Sequence, residues 1–259
     1  MQTSWQQLQR WIEDLLFPIR MRLGRRIMWE KQRKIVQISR STLIKGPVTA
    51  QEIEAMRFVA ARVTTLYIPA VQRTYHRSDG VYLAMDFIAG ERLDHLWPKL
   101  TEEGRKEIVV RVWSQVSTLR ALPKPKSLED VVVGSASSGG SVHDGFVSMD
   151  AVGPFTSLTE FCDFLRGNPN FEPFQHLLDR KDDDDGTGSD SVFNHADLAP
   201  RNIIIRESDD KLFLIDWEVA GWWPPWWDYV MVHLSDFPIL PDWVESFDKV
   251  SGWDRSYGR

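Results

Sequence analysis

The chain has 259 residues, 42% of them hydrophobic, a net charge of −6 and a pI near 5.6. Such a length supports one sizeable core or two lobes around a cleft, and such a composition excludes a chain dominated by disorder. The acidic balance argues against a nucleic-acid partner, whose phosphates Lys and Arg would have to neutralise. Cys162 is the only cysteine, which excludes an internal disulfide. No run of eighteen or more apolar residues is present to cross a membrane, and residues 1–30 lack the continuous apolar stretch of a secretory signal. The expected location is cytoplasmic, and the oligomeric state leaves no mark in the sequence.

At the N-terminus, Trp5, Leu8, Trp11, Ile12, Leu15 and Leu16 recur at helical spacing and precede the basic run Arg20, Arg22, Arg25, Arg26, Lys31, Arg33 and Lys34. The expectation is an amphipathic helix that packs on its own domain, with membrane contact as the alternative. Two short strands follow, 34–39 and 41–45, the second ending at Lys45 before a break at Gly46-Pro47. Thr49 then caps a helix with Glu52 three residues on, and Ile53, Met56, Val59 and Ala60 line its apolar side. A strand pair about Ser78-Asp79-Gly80 leads to Asp86-Phe87-Ile88-Ala89-Gly90, where the glycine places a hinge.

Beyond that hinge, Ile108, Val109, Val112, Trp113, Val116 and Leu119 recur at three- and four-residue steps, which predicts a long half-buried helix over 101–122. The stretch from Pro123 through Gly134-Ser135-Ala136-Ser137-Ser138-Gly139-Gly140 is a long connection, so it is expected to be functional or mobile and could border an acceptor pocket. The acidic run 181–186 reads as solvated surface, because consecutive carboxylates repel. The rings of Trp222, Trp223, Trp226 and Trp227 read as packing beside the site.

The stretch from Phe193 to Asn202 contains His195, Asp197 and Asn202 in the pattern H-x-D-x-x-x-x-N, and Asp216 lies fourteen residues beyond Asn202. A chain with 6 His, 23 Asp and 4 Asn would present the first three at this spacing by chance roughly 0.008 times. Phosphoryl transfer asks for these groups: one carboxylate to take the acceptor hydroxyl's proton, and a second carboxylate plus an amide oxygen to hold Mg²⁺. The apolar runs 203–205 and 212–215, separated by polar Glu207 to Asp210, predict a hairpin that begins after Asn202 and ends at Asp216. Asp197 is thus the expected base, and Asn202 and Asp216 the expected metal ligands. His195 is the expected support of the catalytic loop, and Asp228 a second brace or a helix-start cap.

With Lys45 on a strand, Glu52 to Val59, Met85 to Glu91 and these two stretches, the chain resembles the aminoglycoside phosphotransferase-like kinases. Gly153-Pro154-Phe155, Ile215 to Glu218 and Gly221 to Pro224 resemble patterns of their fungal branch, so the likeness runs in order from about Ile35 to Tyr229. The resemblance implies an α+β, two-lobed protein-kinase-like fold with a small antiparallel-sheet lobe and a larger, mainly helical one. The expected division is 1–34 for the terminal helix and basic segment, 35–90 for the small lobe with its hinge, and 91–259 for the large lobe. It also implies ATP or GTP with Mg²⁺, nucleotide beside Met85 and Phe87, and Lys45 on the α- and β-phosphates. Lys45 would be oriented by Glu52, with Glu54 as fallback.

Eleven residues separate Asp216 from Asp228 and no Ala-Pro-Glu follows, leaving little chain for a peptide-docking platform, so a small-molecule hydroxyl is the expected acceptor. Two departures support an alternative, a pseudokinase-like binding module with weak or no turnover. Gly24 is the only glycine before Lys45, so the phosphates would lack a Gly-rich cover and would rely on basic residues such as Arg25 or Arg26, and Trp217-Glu218 stands where Phe-Gly is usual.

Overall fold

Val36, Ile44 and Ala84 are opposed across three neighbouring strands and all are buried, as a sheet with one covered face requires. The computed structural model describes residues 4–29, 33–179, 191–234, 240 and 242–257 and divides them into two units. The first unit spans 1–49 and 69–89. It holds α1 (Ser4–Leu23) and strands β1 (Arg25–Trp29), β2 (Lys34–Gln37), β3 (Thr42–Val48), β4 (Val71–Arg77) and β5 (Gly80–Asp86). These form one antiparallel sheet in the order β1-β2-β3-β5-β4.

Phe17 and Met21 of α1 cover that face and pack with Val36, Ile44, Tyr75, Tyr82 and Ala84. The Phe17 ring lies 4.9 Å from Tyr75 and 5.1 Å from Tyr82. The helix does pack on its own unit, but through another face than expected: Leu8, Trp11, Ile12 and Leu15 are exposed. Helical periodicity was present on both sides of α1, and the side that meets the sheet is the one bearing Phe17 and Met21.

Two strand expectations also change. β1 forms from a segment that reads as merely basic, and β3 runs on through Gly46 and Pro47 to Val48 instead of stopping at Lys45. Pro47 has no N–H for the ladder, and the pairing with β5 shifts register between Lys45 and Val48, which accommodates it.

The second unit spans 50–68 and 90–259. It begins with α2 (Ala50–Ala60), so this helix, expected in the small lobe, belongs by its contacts with the larger unit, and 1–34 belongs with the sheet. Ala55, Met56, Phe58 and Val59 are its buried apolar side, with Phe58 stacked 5.1 Å from Phe193, whereas Ala60 is exposed. After β6 (Gly90–Arg92) come α3 (Leu93–Leu96) and α4 (Glu102–Arg120). α4 is capped by the Thr101 hydroxyl, which accepts the Gly104 N–H at 3.1 Å, and it buries Ile108, Val109, Val112, Val116 and Leu119.

The unit continues with α5 (Leu158–Leu165), α6 (Gln175–Leu178), β7 (Val192–Asn194), β8 (Ile203–Arg206), β9 (Leu212–Leu214), β10 (Gly221–Trp223), α7 (Trp227–Leu234), α8 (Trp243–Ser251) and α9 (Trp253–Tyr257). β8 and β9 are the expected hairpin, with β6 added to its edge, and β7 pairs with β10. The long connection before α5 is built into the core: Val132, Val133, Ala136, Val142, Val147 and Phe155 are buried. Trp222, Trp223, Trp226 and Trp227 are buried as packing, with Trp223 and Trp227 stacked at 4.7 Å. The acidic run 181–186 lies outside the described residues.

Gly90 sits where β6 meets β8, and a Cβ there would come within 2.1 Å of the Ile205 carbonyl oxygen. Backbone would have to move. Gly90→Ala is therefore expected to lower the unfolding free energy by about 2 kcal/mol, read as a lower denaturant midpoint; an unchanged midpoint would refute the close approach.

Candidate active site

The chain from β7 to β9 places the three motif residues in one hydrogen-bonded arrangement. β7 leads into His195, a single 3₁₀ turn (Pro200–Asn202) follows, and Asn202 opens β8. The Asn202 amide Nδ2 donates to Asp197 Oδ2 at 2.6 Å and to the Asp197 carbonyl at 3.0 Å. With its nitrogen so used, Asn202 has its Oδ1 to offer a cation. Arg201 Nη2 donates to both Asp197 carboxylate oxygens, at 2.7 and 3.0 Å, fixing the carboxylate's orientation. The Ile215 N–H donates to the Asn202 carbonyl at 2.9 Å, which ties Asp216 to this loop.

His195 is fully buried between the same two segments. Its Nε2 bonds the Ile215 carbonyl at 3.0 Å, its Nδ1 accepts the Asp197 N–H at 3.3 Å, and its ring lies edge-on to Trp217 at 4.7 Å. Because a carbonyl only accepts, Nε2 carries the proton. Burial lowers its pKa against the opposing pull of Asp197 and Asp216, so it remains a neutral brace. Both ring nitrogens are engaged by backbone groups of these segments.

Two of the four non-glycine residues with left-handed backbone among the described residues lie in this site: Ala196 (φ 63°) and Asp216 (φ 65°). The surroundings impose the first. The buried Asp228, at the start of α7, accepts the Ala196 N–H on Oδ1 at 2.9 Å, while its Oδ2 has no hydrogen-bond partner among the described residues. Burial pushes the Asp228 carboxyl up to about 7, against the Arg120 charge and the Ala196 bond. Of its two expected roles, Asp228 fills that of loop brace.

Glu52 of α2, Asp216 and Glu218 each present a carboxylate oxygen, all within 4.8 Å of one another, with Glu52 buried and the other two half-buried. Three carboxylates so close repel unless a proton or cation offsets them, and hard oxygen donors suit Mg²⁺. The residues present therefore fit a divalent cation. Lys45, buried on β3, and Met85, buried on β5 opposite Leu43, lie in the first unit. Phe87, half-buried beyond β5, lies there too, its N–H donating to the Ser41 carbonyl at 2.9 Å.

The sequence matches the model of the phosphotransferase enzyme family, APH, over residues 25–259. The chain belongs to this family. No curated protein matches the sequence. Among solved structures, the streptomycin–ATP ternary complex of APH(2'')-IIa is 15% identical with a TM-score of 0.53, the alignment covering 93% of this chain and 85% of that one. APH(3'')-Id from Streptomyces rimosus is 16% identical with a TM-score of 0.55, covering 97% and 92%. A thermostable mutant of APH(4)-Ia in ternary complex with ADP and hygromycin B is 11% identical with a TM-score of 0.61, covering 90% and 78%. These likenesses establish the fold, which is α+β and protein-kinase-like.

Within this phosphotransferase, several polar residues of the site escaped the sequence reading. Glu218, given no ligand role there, joins Asp216 through the i, i+2 spacing of an Asp-x-Glu pair. On α2, Gln51 accepts the His143 N–H at 2.7 Å and donates to the Ala220 carbonyl at 3.2 Å, linking the long connection to the segment after Glu218. Glu54, the fallback for Lys45, is turned to that connection instead, accepting from the Ser135 and Ser138 hydroxyls at 3.1 Å and from the N–H groups of Ser137 and Ser138. Burial would raise its pKa, but the bonds from Ser138 and Ser137 hold it below the ordinary value.

Asp144 is buried in the connection, with Oδ1 accepting the Phe146 N–H at 2.8 Å and Oδ2 unpartnered among the described residues. Burial and the charges of Asp197 and Glu218 push it up to about 6, with the Phe146 bond opposing. No spacing signal in the sequence marks it; only the fold brings it near Asp197.

Proposed function

We propose that this chain moves the γ-phosphate of ATP or GTP to a hydroxyl of a small-molecule metabolite. The observation that carries the reading is the Asp197–Asn202 pair, joined at 2.6 Å and tied through Ile215 to Asp216. Asp197 receives the acceptor hydroxyl's proton, while Arg201 and Asn202 hold its carboxylate toward the acceptor oxygen. Asn202 Oδ1, Asp216 and Glu218 would hold Mg²⁺, with Glu52 beside them. The chemistry that Mg²⁺ would supply there is an offset to the negative charge of the phosphates. Lys45 would bind the α- and β-phosphates, and Met85 and Phe87 would receive the nucleotide base. His195 and Asp228 keep the loop in register; neither moves a proton.

The acceptor reading rests on the short span from Asp216 to Asp228, which here holds only β10 and the buried Trp222 to Trp227 packing. A second reading, a binding module without turnover, is favoured by one observation: Gly24 is the only glycine before Lys45, so the sequence offers no Gly-rich stretch to bring backbone amides onto phosphates. Radiolabelled ATP or GTP with a panel of polyhydroxylated and aminated small molecules, beside a generic protein substrate, separates these. Label on a small acceptor supports the proposal; label on protein alone, or nucleotide binding with no transfer to any acceptor, contradicts it.

A further inference from the structure

α1 has apolar side chains on two opposite sides, and only one of them is covered. Phe17 and Met21 are buried against the sheet. Leu8, Trp11, Ile12, Leu15, Ile19 and Leu23, spaced one, three or four residues apart, are 46, 61, 41, 53, 52 and 78% exposed. At 3.6 residues per turn they occupy an arc of about 120° centred opposite Phe17. Six large apolar side chains in one outward stripe are not scattered surface residues.

The charges are sorted in the same way. The two acidic side chains of α1, Glu13 and Asp14, lie off the stripe and are engaged by Arg20 and Arg77. Arg22 falls within the stripe's arc and Arg25 just beyond its end, both exposed. Residues 1–34 contain eight Arg and Lys against three Asp and Glu, a net +5, although the whole chain carries −6, so the remainder carries −11. Pro18 does not interrupt the stripe: the Asp14 carbonyl, deprived of the N–H that residue 18 would give, accepts from Arg77 Nη2 at 3.0 Å.

We propose that α1 is an interfacial helix that seats this phosphotransferase on an anionic lipid surface, with Leu8 to Leu23 among the acyl chains and Arg22 and Arg25 at the headgroups. A large apolar face with a tryptophan, cationic flanks and no carboxylate within its arc is what such a surface binds. A second copy seated on the same stripe would bring two net +5 segments together, so charge favours lipid over self-association.

Co-sedimentation of the full chain with phosphatidylcholine vesicles, with and without about 30% phosphatidylserine, tests this. The chain is expected to pellet with the anionic vesicles and to be released by high salt. Trp11→Glu with Leu15→Glu should lose at least tenfold in partitioning, and Arg22→Glu with Arg25→Glu should lose the preference for the anionic lipid. All these side chains are exposed, so an unchanged unfolding midpoint keeps the variants comparable. Failure to pellet, or equal pelleting of the Trp11→Glu, Leu15→Glu variant, overturns the proposal. So does a concentration-dependent dimer that this variant dissolves while vesicle binding is absent.

Discussion

Replacing Asp197 by Asn should lower kcat by about 10³-fold while leaving nucleotide-dependent stabilisation in place. The asparagine can still accept the Asn202 amide that Asp197 accepts now at 2.6 Å, so the loop keeps its principal tie. It cannot take the acceptor's proton, and its pairing with Arg201 loses the charge that strengthens the present bonds of 2.7 and 3.0 Å. Steady-state transfer and thermal unfolding with Mg–ATP, run on the same preparation, separate chemistry from folding. Turnover within a few-fold of the native chain would remove Asp197 from the role of base.

Asp228 should give the largest effect on stability. Asp228→Ala leaves the Ala196 N–H, held at φ 63°, without its acceptor and opens a small void, a loss of about 3 kcal/mol. Asp228→Asn keeps the acceptor and removes the ionisation. The carboxyl stands at about 7 in the folded chain against an ordinary 3.8, so folding binds a proton between these values. The stability this group contributes is complete below about pH 3.8 and is lost as pH rises through 7, because the folded state then buries a charge. Relative to the native chain, Asp228→Asn should therefore gain roughly 3 kcal/mol between pH 5 and pH 8, measured as paired denaturant titrations. A gap that is flat with pH would contradict the buried, proton-binding carboxyl.

Much of this architecture is legible in the sequence because the signals are local. The spacing of His195, Asp197, Asn202 and Asp216 encodes the loop and hairpin directly, and the step pattern from Ile108 to Leu119 encodes the buried side of α4. Signals that depend on tertiary partners are silent. β1 is an edge strand whose Arg25 and Arg26 are solvated, so it shows no apolar alternation until β2 pairs with it. In α1 both sides are apolar, and only the sheet decides that Phe17 and Met21 turn inward. Glu218 acquires a role through Glu52, which precedes it by 166 positions in the chain but shares its carboxylate cluster. Asp144 and Glu54 are alike in this respect: no local pattern shows that the fold buries one and binds the other to three serines.

The central claim is that Asn202, Asp216 and Glu218 hold the cation on which nucleotide binding depends. It is tested most directly by thermal unfolding with saturating ATP or GTP, with and without Mg²⁺, on the native chain and Asp216→Ala, because a ligand of the folded state raises its apparent stability. The expected result is a rise in Tm that needs both nucleotide and Mg²⁺ and disappears in Asp216→Ala. An equal rise in that variant, or no rise in the native chain with either nucleotide, would contradict the assignment of this site.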